Sequence, residues 1–181
     1  MDRELLERQL AELPIVEYLF FDTEELTFSP RVRYICENEC PRYGESWACP
    51  PGCGTVEECR ARCLRYPHGL LITTMTEVAD IADIQETLDT RGGHEEVTRA
   101  ARDLFRAQGV EPYVLSTESC AICENCTYPD APCRHPDRMF PCVESQGILV
   151  TALSERHGIG FLAEGNIVTW FSLLLFNEEA S

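Results

Sequence analysis

The chain has 181 residues, of which 44% are hydrophobic, a globular composition that is long enough to form one domain with its own core. Its net charge of -16, from 31 acidic and 15 basic residues, argues against nucleic-acid binding and against an anionic membrane surface. No segment is as long as a membrane span, and the charged N-terminus lacks the apolar run of a signal peptide. We therefore expect a cytoplasmic protein with a single domain over residues 1–181.

Hydrophobic periodicity and turn residues predict helices and strands along the chain. Helices are predicted at residues 2–13, 55–66, 79–88, 94–108 and 145–157. Strands are predicted at residues 16–21, 31–35, 69–75, 113–116 and 166–176. The helix at 55–66 has the clearest start, because Thr55 is followed three residues later by Glu58 in a capping box. Ser29-Pro30 is predicted as a turn before the second strand, and Gly92-Gly93 as part of a break between two helices.

From residue 31 onward, strands and helices alternate, which favours an α/β fold with at least some parallel strands. We expect a mixed sheet of about five strands, with helices packed on it and cysteine-rich loops at two strand ends, and an α+β fold is the alternative. If the strands at 31–35 and 113–116 are parallel, both cysteine groups leave the same edge of the sheet and share a cleft. An antiparallel arrangement would separate the two groups.

Residues 119–141 contain the strongest chemical signal in the chain. Cys120, Cys123 and Cys126 are each separated by two residues, and Cys133 follows after six more. Ferredoxins use the run C-x2-C-x2-C to bind three irons of a [4Fe-4S] cube, whereas zinc sites more often use two separated pairs of ligands. The spacing therefore predicts a metal site and favours an iron–sulfur cluster, with zinc as the alternative.

A second cysteine group lies in a loop rich in proline and glycine. It contains Cys36, Cys40 and Cys49, with Cys53 as a candidate additional metal ligand. The chain has eleven cysteines in all. Because cytoplasmic thiols stay reduced and an odd number cannot pair completely, metal or redox chemistry explains them better than disulfides do. We expect one or two [4Fe-4S] clusters, and a loop of buried, unreactive cysteines is the alternative for this group.

The number of thiols on each cluster separates two kinds of chemistry. A cube held by all four central cysteines would be coordinatively full, and it would transfer electrons or hold structure. A cube held by three thiols would leave one iron open to a substrate. Because the gap before Cys133 is longer than in ferredoxins, this residue could instead serve the first group. Cys59 and Cys63, which fall on one face of the helix at 55–66, are predicted to be core residues.

Both cysteine groups carry further residues of a known pattern. The matching residues are Cys36, Cys40, Tyr43, Gly44, Cys49, Pro50, Pro51 and Tyr66, followed by Cys120, Cys123, Cys126, Pro132, Cys133, Arg134, His135, Pro136, Pro141, Glu144, Gly147 and Ile148. On these residues the chain resembles a cysteine-rich bacterial and archaeal domain family of unknown function, usually described as "predicted metal-binding protein". The resemblance implies metal binding by an iron–sulfur centre and implies no settled reaction. Cys53, Cys59, Cys63 and Cys142 look like additions, and Cys142 stands where the family tends to have serine.

Charged and aromatic residues beside the cysteines are candidates for supporting roles. Arg134 and His135 could donate hydrogen bonds to cluster sulfurs or bind an anionic substrate. The alternatives are an ion pair between Arg134 and a carboxylate, and metal ligation by His135. Tyr43 is predicted to pack over the site and exclude water. Asp130 and Glu144 are candidate proton-transfer groups.

Three functions remain open from the sequence. The first is an iron–sulfur protein that acts in electron transfer, or as a redox accessory, with a redox partner protein. The second is an enzyme whose [4Fe-4S] cluster has an open iron that activates a small anionic or sulfur-containing substrate. The third is a zinc-stabilised interaction or metal-handling module. The phosphate-binding glycine loops, the H-E-x-x-H helix and the G-x-S-x-G elbow are absent from the sequence.

Overall fold

A four-stranded antiparallel sheet is the centre of the fold. The computed structural model describes residues 1–160 and 165–178. The described strands are β1 (Glu17–Asp22), β2 (His68–Glu77), β3 (Tyr113–Leu115) and β4 (Ile167–Phe176). Their order in the sheet is β1-β2-β4-β3, and every neighbouring pair is antiparallel. Four of the predicted strands are thus confirmed to within two residues at each end, and so is the mixed α and β class.

The predicted fifth strand and the predicted parallel pairing are wrong. Residues 31–35 belong instead to a helix, α2 (Pro30–Asn38), after α1 (Arg3–Leu10). The Ser29 side chain accepts a hydrogen bond from the N–H of Arg31. Pro30 occupies the first turn of the helix, where no backbone N–H is needed for intrahelical hydrogen bonds. The Ser-Pro pair therefore starts a helix and is not a turn before a strand. In the described sheet β2 and β3, which α4 and α5 join, are separated by β4, so no two neighbouring strands are parallel.

The remaining helices follow the predictions in part. They are α3 (Val56–Cys63), α4 (Ile84–Asp89), α5 (Arg91–Ala107) and α6 (Val150–His157). The capping box at the start of α3 is present. The predicted helix at 79–88 begins only at Ile84, because Asp83 caps it. The predicted break between two helices is present, but it falls at Thr90, and Gly92 and Gly93 lie inside α5.

The predicted helix at 145–157 is divided at a glycine. Glu144–Gln146 forms a short 3-10 helix, and Gly147 then takes a left-handed conformation with φ of +76°. A glycine adopts this conformation without the steric cost that other residues meet. As a result, the regular helix α6 starts only at Val150.

Two hydrophobic clusters cover the two faces of the sheet, because successive strand residues point to opposite sides. On one face, Leu70, Ile72 and Leu174 pack with apolar residues of α1 and α5. On the other face, Leu71 and Leu173 pack with residues of α3 and α6 and with the segment before α6. β2 and β4 are therefore buried on both faces, which explains why their sequences are almost continuously apolar.

Among the residues that the structure describes, no helix has the length and apolar character needed to cross a bilayer.

Candidate metal centre

Two loops carry most of the cysteines and lie against each other. The first loop, residues 39–55, joins α2 to α3, and the second, residues 116–143, follows β3. The hydroxyl oxygens of Ser46 and Ser119 lie 3.3 Å apart, and the Ser119 oxygen lies 3.1 Å from Cys49 Sγ. The two cysteine groups are therefore neighbours. The predicted cause, parallel strands at 31–35 and 113–116 that end at one edge of the sheet, is wrong, because contacts between the loops bring the groups together.

Four cysteines of the second loop form a group that we call the central cysteine site. Cys120, Cys123, Cys126 and Cys133 line one cavity of about 20 Å³. Cys133 thus lies with the three closely spaced cysteines rather than with the first group. His135 also lines this cavity.

Backbone N–H groups two residues further along the chain are directed at three of these sulfurs. The N–H of Tyr128 donates to Cys126 Sγ at 3.5 Å, and that of His135 donates to Cys133 Sγ at 3.4 Å. Burial raises the pKa of Cys120, and the backbone N–H two residues on opposes this effect. Such N–H donors stabilise the thiolate form, which is the form that binds a metal.

Residues of α2, of the first loop and of the end of the second loop form another four-thiol group, the N-terminal cysteine site. Cys36, Cys40, Cys49 and Cys142 line one cavity of about 220 Å³. Sequence reasoning did not include Cys142, which lies more than ninety residues further along the chain than the others. The only feature of the sequence that pointed to a further ligand from elsewhere in the chain was the lack of a certain fourth thiol in the first group. Cys53, the expected additional ligand, is not among the residues that line this cavity.

Hydrogen bonds prepare one thiolate in the N-terminal cysteine site. The thiol of Cys142 and the hydroxyls of Ser119 and Ser46 donate to Cys49 and lower its pKa to about 6. The same interaction with Cys49, together with burial, raises the pKa of Cys142. Burial and the neighbouring thiols raise the pKa of Cys36 to about 11. A metal bound here would therefore find one thiolate already formed and would displace protons from the other thiols.

Two further predicted residues lie at the N-terminal cysteine site. Tyr43 lines the cavity and keeps 40% of its surface exposed, so it covers the outer side. Glu144 lines the cavity too, and burial raises the pKa of this carboxyl to about 7. A carboxyl with such a pKa exchanges protons readily near neutral pH. Arg134 lines the cavity of the central site, where its Nη1 donates to the Asn125 carbonyl at 2.9 Å and makes no ion pair in the described part of the chain.

Cys53 and Cys59 form a third group with a buried arginine. Arg33 Nη2 lies 3.7 Å from both sulfurs, and the same guanidinium donates to the carbonyls of Gly54 at 2.9 Å and Ser145 at 2.6 Å. The thiol of Cys59 donates to Cys53 and lowers the pKa of Cys53 to about 7. No carboxylate within the described ranges pairs with Arg33, and a Cys53 thiolate would supply the negative charge that a buried guanidinium needs.

Cys59 and Cys63 are both fully buried, as the helical spacing predicted. Cys63 belongs to the cluster on the α3 and α6 face of the sheet. Burial raises its pKa to about 12, which keeps this thiol protonated. Cys63 is therefore a packing residue and belongs to neither cysteine site.

The donor atoms of the two sites suit thiolate-binding centres. Sets of four thiolates are characteristic of iron–sulfur clusters and of structural zinc. The cavity of the N-terminal site has room for a cluster, whereas the cavity of the central site has room for a single atom unless its loop opens. Over residues 1–160 and 165–178, no group of three or more Cys, His, Asp or Glu side chains has the geometry of a metal-ion site. The thiols would therefore turn toward the metal when it binds.

Comparison with known families agrees with this interpretation. The family model described as "Predicted metal-binding protein (DUF2284)" matches residues 20–176. No curated protein and no solved structure matches the chain. The matched residues include both cysteine sites and all of the described sheet apart from the first three residues of β1. The chain therefore belongs to the DUF2284 family of predicted metal-binding proteins.

Proposed function

We propose that this protein binds a [4Fe-4S] cluster in each of its two cysteine sites and acts in electron transfer. The observation that carries the proposal is the pairing of two four-thiol sites on adjoining loops. Each site offers one thiol for each iron of a cube. A cube with four thiolates has no open iron, which favours electron transfer over activation of a substrate at the metal.

The contact between the loops supplies a short connection between the two sites. Ser119 lies 3.1 Å from Cys49 Sγ and directly precedes Cys120 in the chain. Two clusters bound to these cysteines would therefore be neighbours, and an electron could pass from one to the other. A redox partner protein would then take the electron from the cluster nearer the surface. The central site is the candidate for this exit, since its four cysteines are only partly buried.

Metal and sulfide analysis of anaerobically purified protein tests the proposal. We expect about eight irons and eight acid-labile sulfides per chain, because each cube contains four of each. Cys123→Ser should lower both counts by about half through the central site, and Cys49→Ser should do so through the N-terminal site. Cys63→Ala is the matched control, since it removes a thiol that contacts neither site, and it should keep the full metal content.

The outcomes separate the proposal from its rivals. About four irons, abolished by only one of the two serine substitutions, would show that a single site holds a cluster. Loss of iron in Cys63→Ala would show that the counts follow general stability and not ligation. Zinc without sulfide would exclude the iron–sulfur proposal altogether.

A zinc ion in the central cysteine site is a second candidate with its own supporting observation. The cavity among Cys120, Cys123, Cys126 and Cys133 holds about 20 Å³, which is close to the space of one water molecule. A single tetrahedral ion fits such a space with less movement of the loop than a cube requires. In that case the wild-type protein would contain about one zinc beside about four irons, and Cys123→Ser would release the zinc alone.

A further inference from the structure

A large pocket adjoins the central cysteine site. Its volume is about 750 Å³, within the range of small-molecule sites. It lies between α3, the segment that leads into β3, and the second cysteine loop. Cys133 lines both this pocket and the central cysteine site. A molecule in the pocket would therefore lie beside the central site without needing to bind its metal.

The walls of the pocket are aromatic and rigid. Trp47 and Phe140 contribute rings, and five prolines contribute flat apolar surfaces without N–H donors. The Trp47 ring is held in place by two contacts. Its Nε1 donates to the Ala131 carbonyl at 3.1 Å, and it forms a T-shaped pair with the Tyr128 ring at a centroid distance of 4.9 Å. Such walls are suited to a flat, apolar molecular body, and they need little rearrangement to receive it.

Three arginines line the pocket, and two of them are already neutralised. Arg106 makes two hydrogen bonds of 2.7 Å to the carboxylate of Glu111. Arg102 donates to the carboxylate of Asp103 at 3.0 Å and 2.9 Å, and to the Asp137 carbonyl at 2.8 Å. These two guanidinium groups therefore have little capacity left for a ligand.

The third arginine, Arg62 on α3, contacts only neutral groups among the described residues. Its two terminal nitrogens each lie 3.3 Å from the Cys53 carbonyl, and Nη1 also lies 3.3 Å from the Tyr113 hydroxyl. These hydrogen bonds are long, and the described part of the chain offers Arg62 no carboxylate within 4.0 Å. The nearby thiols of Cys53 and Cys59 already have Arg33 beside them.

The acidic residues of the pocket do not cancel this charge. Glu111 is paired with Arg106, as described above. Asp130 and Asp137 line the pocket from the cysteine loop, but both are exposed, so that water and salt screen them. An anionic group is therefore favoured at the end of the pocket that Arg62 lines.

We propose that this pocket binds a small aromatic organic anion, with its acidic group on Arg62 and its ring against the apolar walls. The size of the pocket, its rigid aromatic and proline surface and its one arginine without a carboxylate all match this class of ligand. The site goes beyond electron transfer, because it gives the protein a small-molecule ligand that lies next to the central cysteine site.

Equilibrium dialysis with a model ligand tests the proposal on the anaerobically purified full chain. The probe is 8-anilinonaphthalene-1-sulfonate, an aromatic anion, and N-phenyl-1-naphthylamine is its uncharged counterpart. Arg62→Gln should weaken binding of the anion at least about tenfold and leave binding of the neutral compound unchanged, because only the charged hydrogen bonds are lost. Arg62→Lys should retain more of the affinity than Arg62→Gln, since it keeps the charge. Arg60→Gln, an exposed change on the same helix and outside the pocket, should bind both compounds like the wild type.

Several results would overturn the proposal. Equal binding of the anion by wild type and Arg62→Gln would remove Arg62 from the site, and equal losses for the charged and neutral compounds would show a change of shape and not of charge. Iron and sulfide are measured on the same samples, so the two proposals fail separately. A protein with both clusters and no bound anion contradicts the pocket alone. A protein that holds only zinc and binds the anion through Arg62 contradicts the iron–sulfur centres alone.

Discussion

His94 shows how burial changes a single ionisable group. Its Nδ1 lies 2.9 Å from Thr74 Oγ1 and its Nε2 lies 2.8 Å from Ser172 Oγ, and the ring is almost completely buried. Burial lowers the pKa of His94 to about 4, and the nearby Arg91 adds to this effect. The folded protein therefore keeps this imidazole neutral at pH values where an exposed histidine is charged.

This shift predicts that stability falls when the pH is lowered. An unfolded histidine takes up a proton near pH 6.5, whereas folded His94 does so only near pH 4, so the unfolded state binds more protons between these values. The contribution of neutral His94 to the free energy of unfolding is complete above pH 6.5 and is lost progressively as the pH falls to 4. We expect His94 to account for a loss of about 2 kcal/mol between pH 7.5 and pH 5.0.

Urea unfolding at the two pH values measures this contribution, with His94→Asn as the comparison. The variant should be less stable at pH 7.5, because it loses one of the two buried hydrogen bonds, but its stability should change less with pH. A variant with the same pH dependence as the wild type would show that carboxylates or thiols, and not His94, are responsible.

At the scale of the element, two glycines are expected to respond to the same substitution in opposite ways. Gly69 in β2 pairs with Phe21 in β1, and a Cβ at Gly69 would lie 2.3 Å from the Phe21 ring. Gly92 lies in α5, and a Cβ there would meet no atom within 4 Å. We expect Gly69→Ala to destabilise the fold by about 2 kcal/mol through overpacking and Gly92→Ala to stabilise it by about 0.5 kcal/mol through helix propensity.

Thermal or urea unfolding of the two variants checks these signs. Iron and sulfide contents should match the wild type in both, because neither glycine belongs to a cysteine site. If Gly69→Ala left stability unchanged, the Phe21 ring would have an alternative position that β1 tolerates.

The helix α2 shows where local sequence is a poor guide to an element. Its residues 31–35 include valine, tyrosine and isoleucine, which favour strands. The burial pattern overrides this strand preference, because the rest of the protein covers only one side of the segment, at Arg33 and Cys36. The helix brings Arg33 to the Cys53 and Cys59 sulfurs and Cys36 to the N-terminal cysteine site. A strand would place residues 33 and 36 on opposite faces, whereas a helix places them on the same one.

At the scale of the whole molecule, the sheet and the cysteine loops are stabilised by different means. The two hydrophobic clusters contain the sheet and most of the helices, while the loops at 39–55 and 116–143 contribute few residues to them. Their order is therefore expected to depend on thiolate–metal bonds, whereas the sheet depends on apolar burial.

Hydrogen exchange followed by mass spectrometry tests this division. After anaerobic removal of metal with a chelator and a reductant, peptides from the two loops should exchange at least about tenfold faster. Peptides from β2 and β4 should keep their protection, because both strands are buried on both faces. Loss of protection throughout the sheet would show that the metal stabilises the entire fold.

The sequence was sufficient for features that depend on neighbouring residues. Apolar runs specified β2 and β4, the Thr55 capping box specified the start of α3, and spacing alone assembled Cys120, Cys123 and Cys126. Each of these rests on interactions within a few residues, which local sequence patterns encode directly.

Only the tertiary structure decided which distant residues meet. It joined Cys142 to Cys36, Cys40 and Cys49 and separated Cys53 from that group. It also left Arg62 at the edge of a pocket without a carboxylate partner of its own. These contacts depend on how the two loops pack at the end of an antiparallel sheet. Such packing results from many small contributions of apolar burial between residues that are far apart in the chain. No short stretch of sequence therefore specifies it.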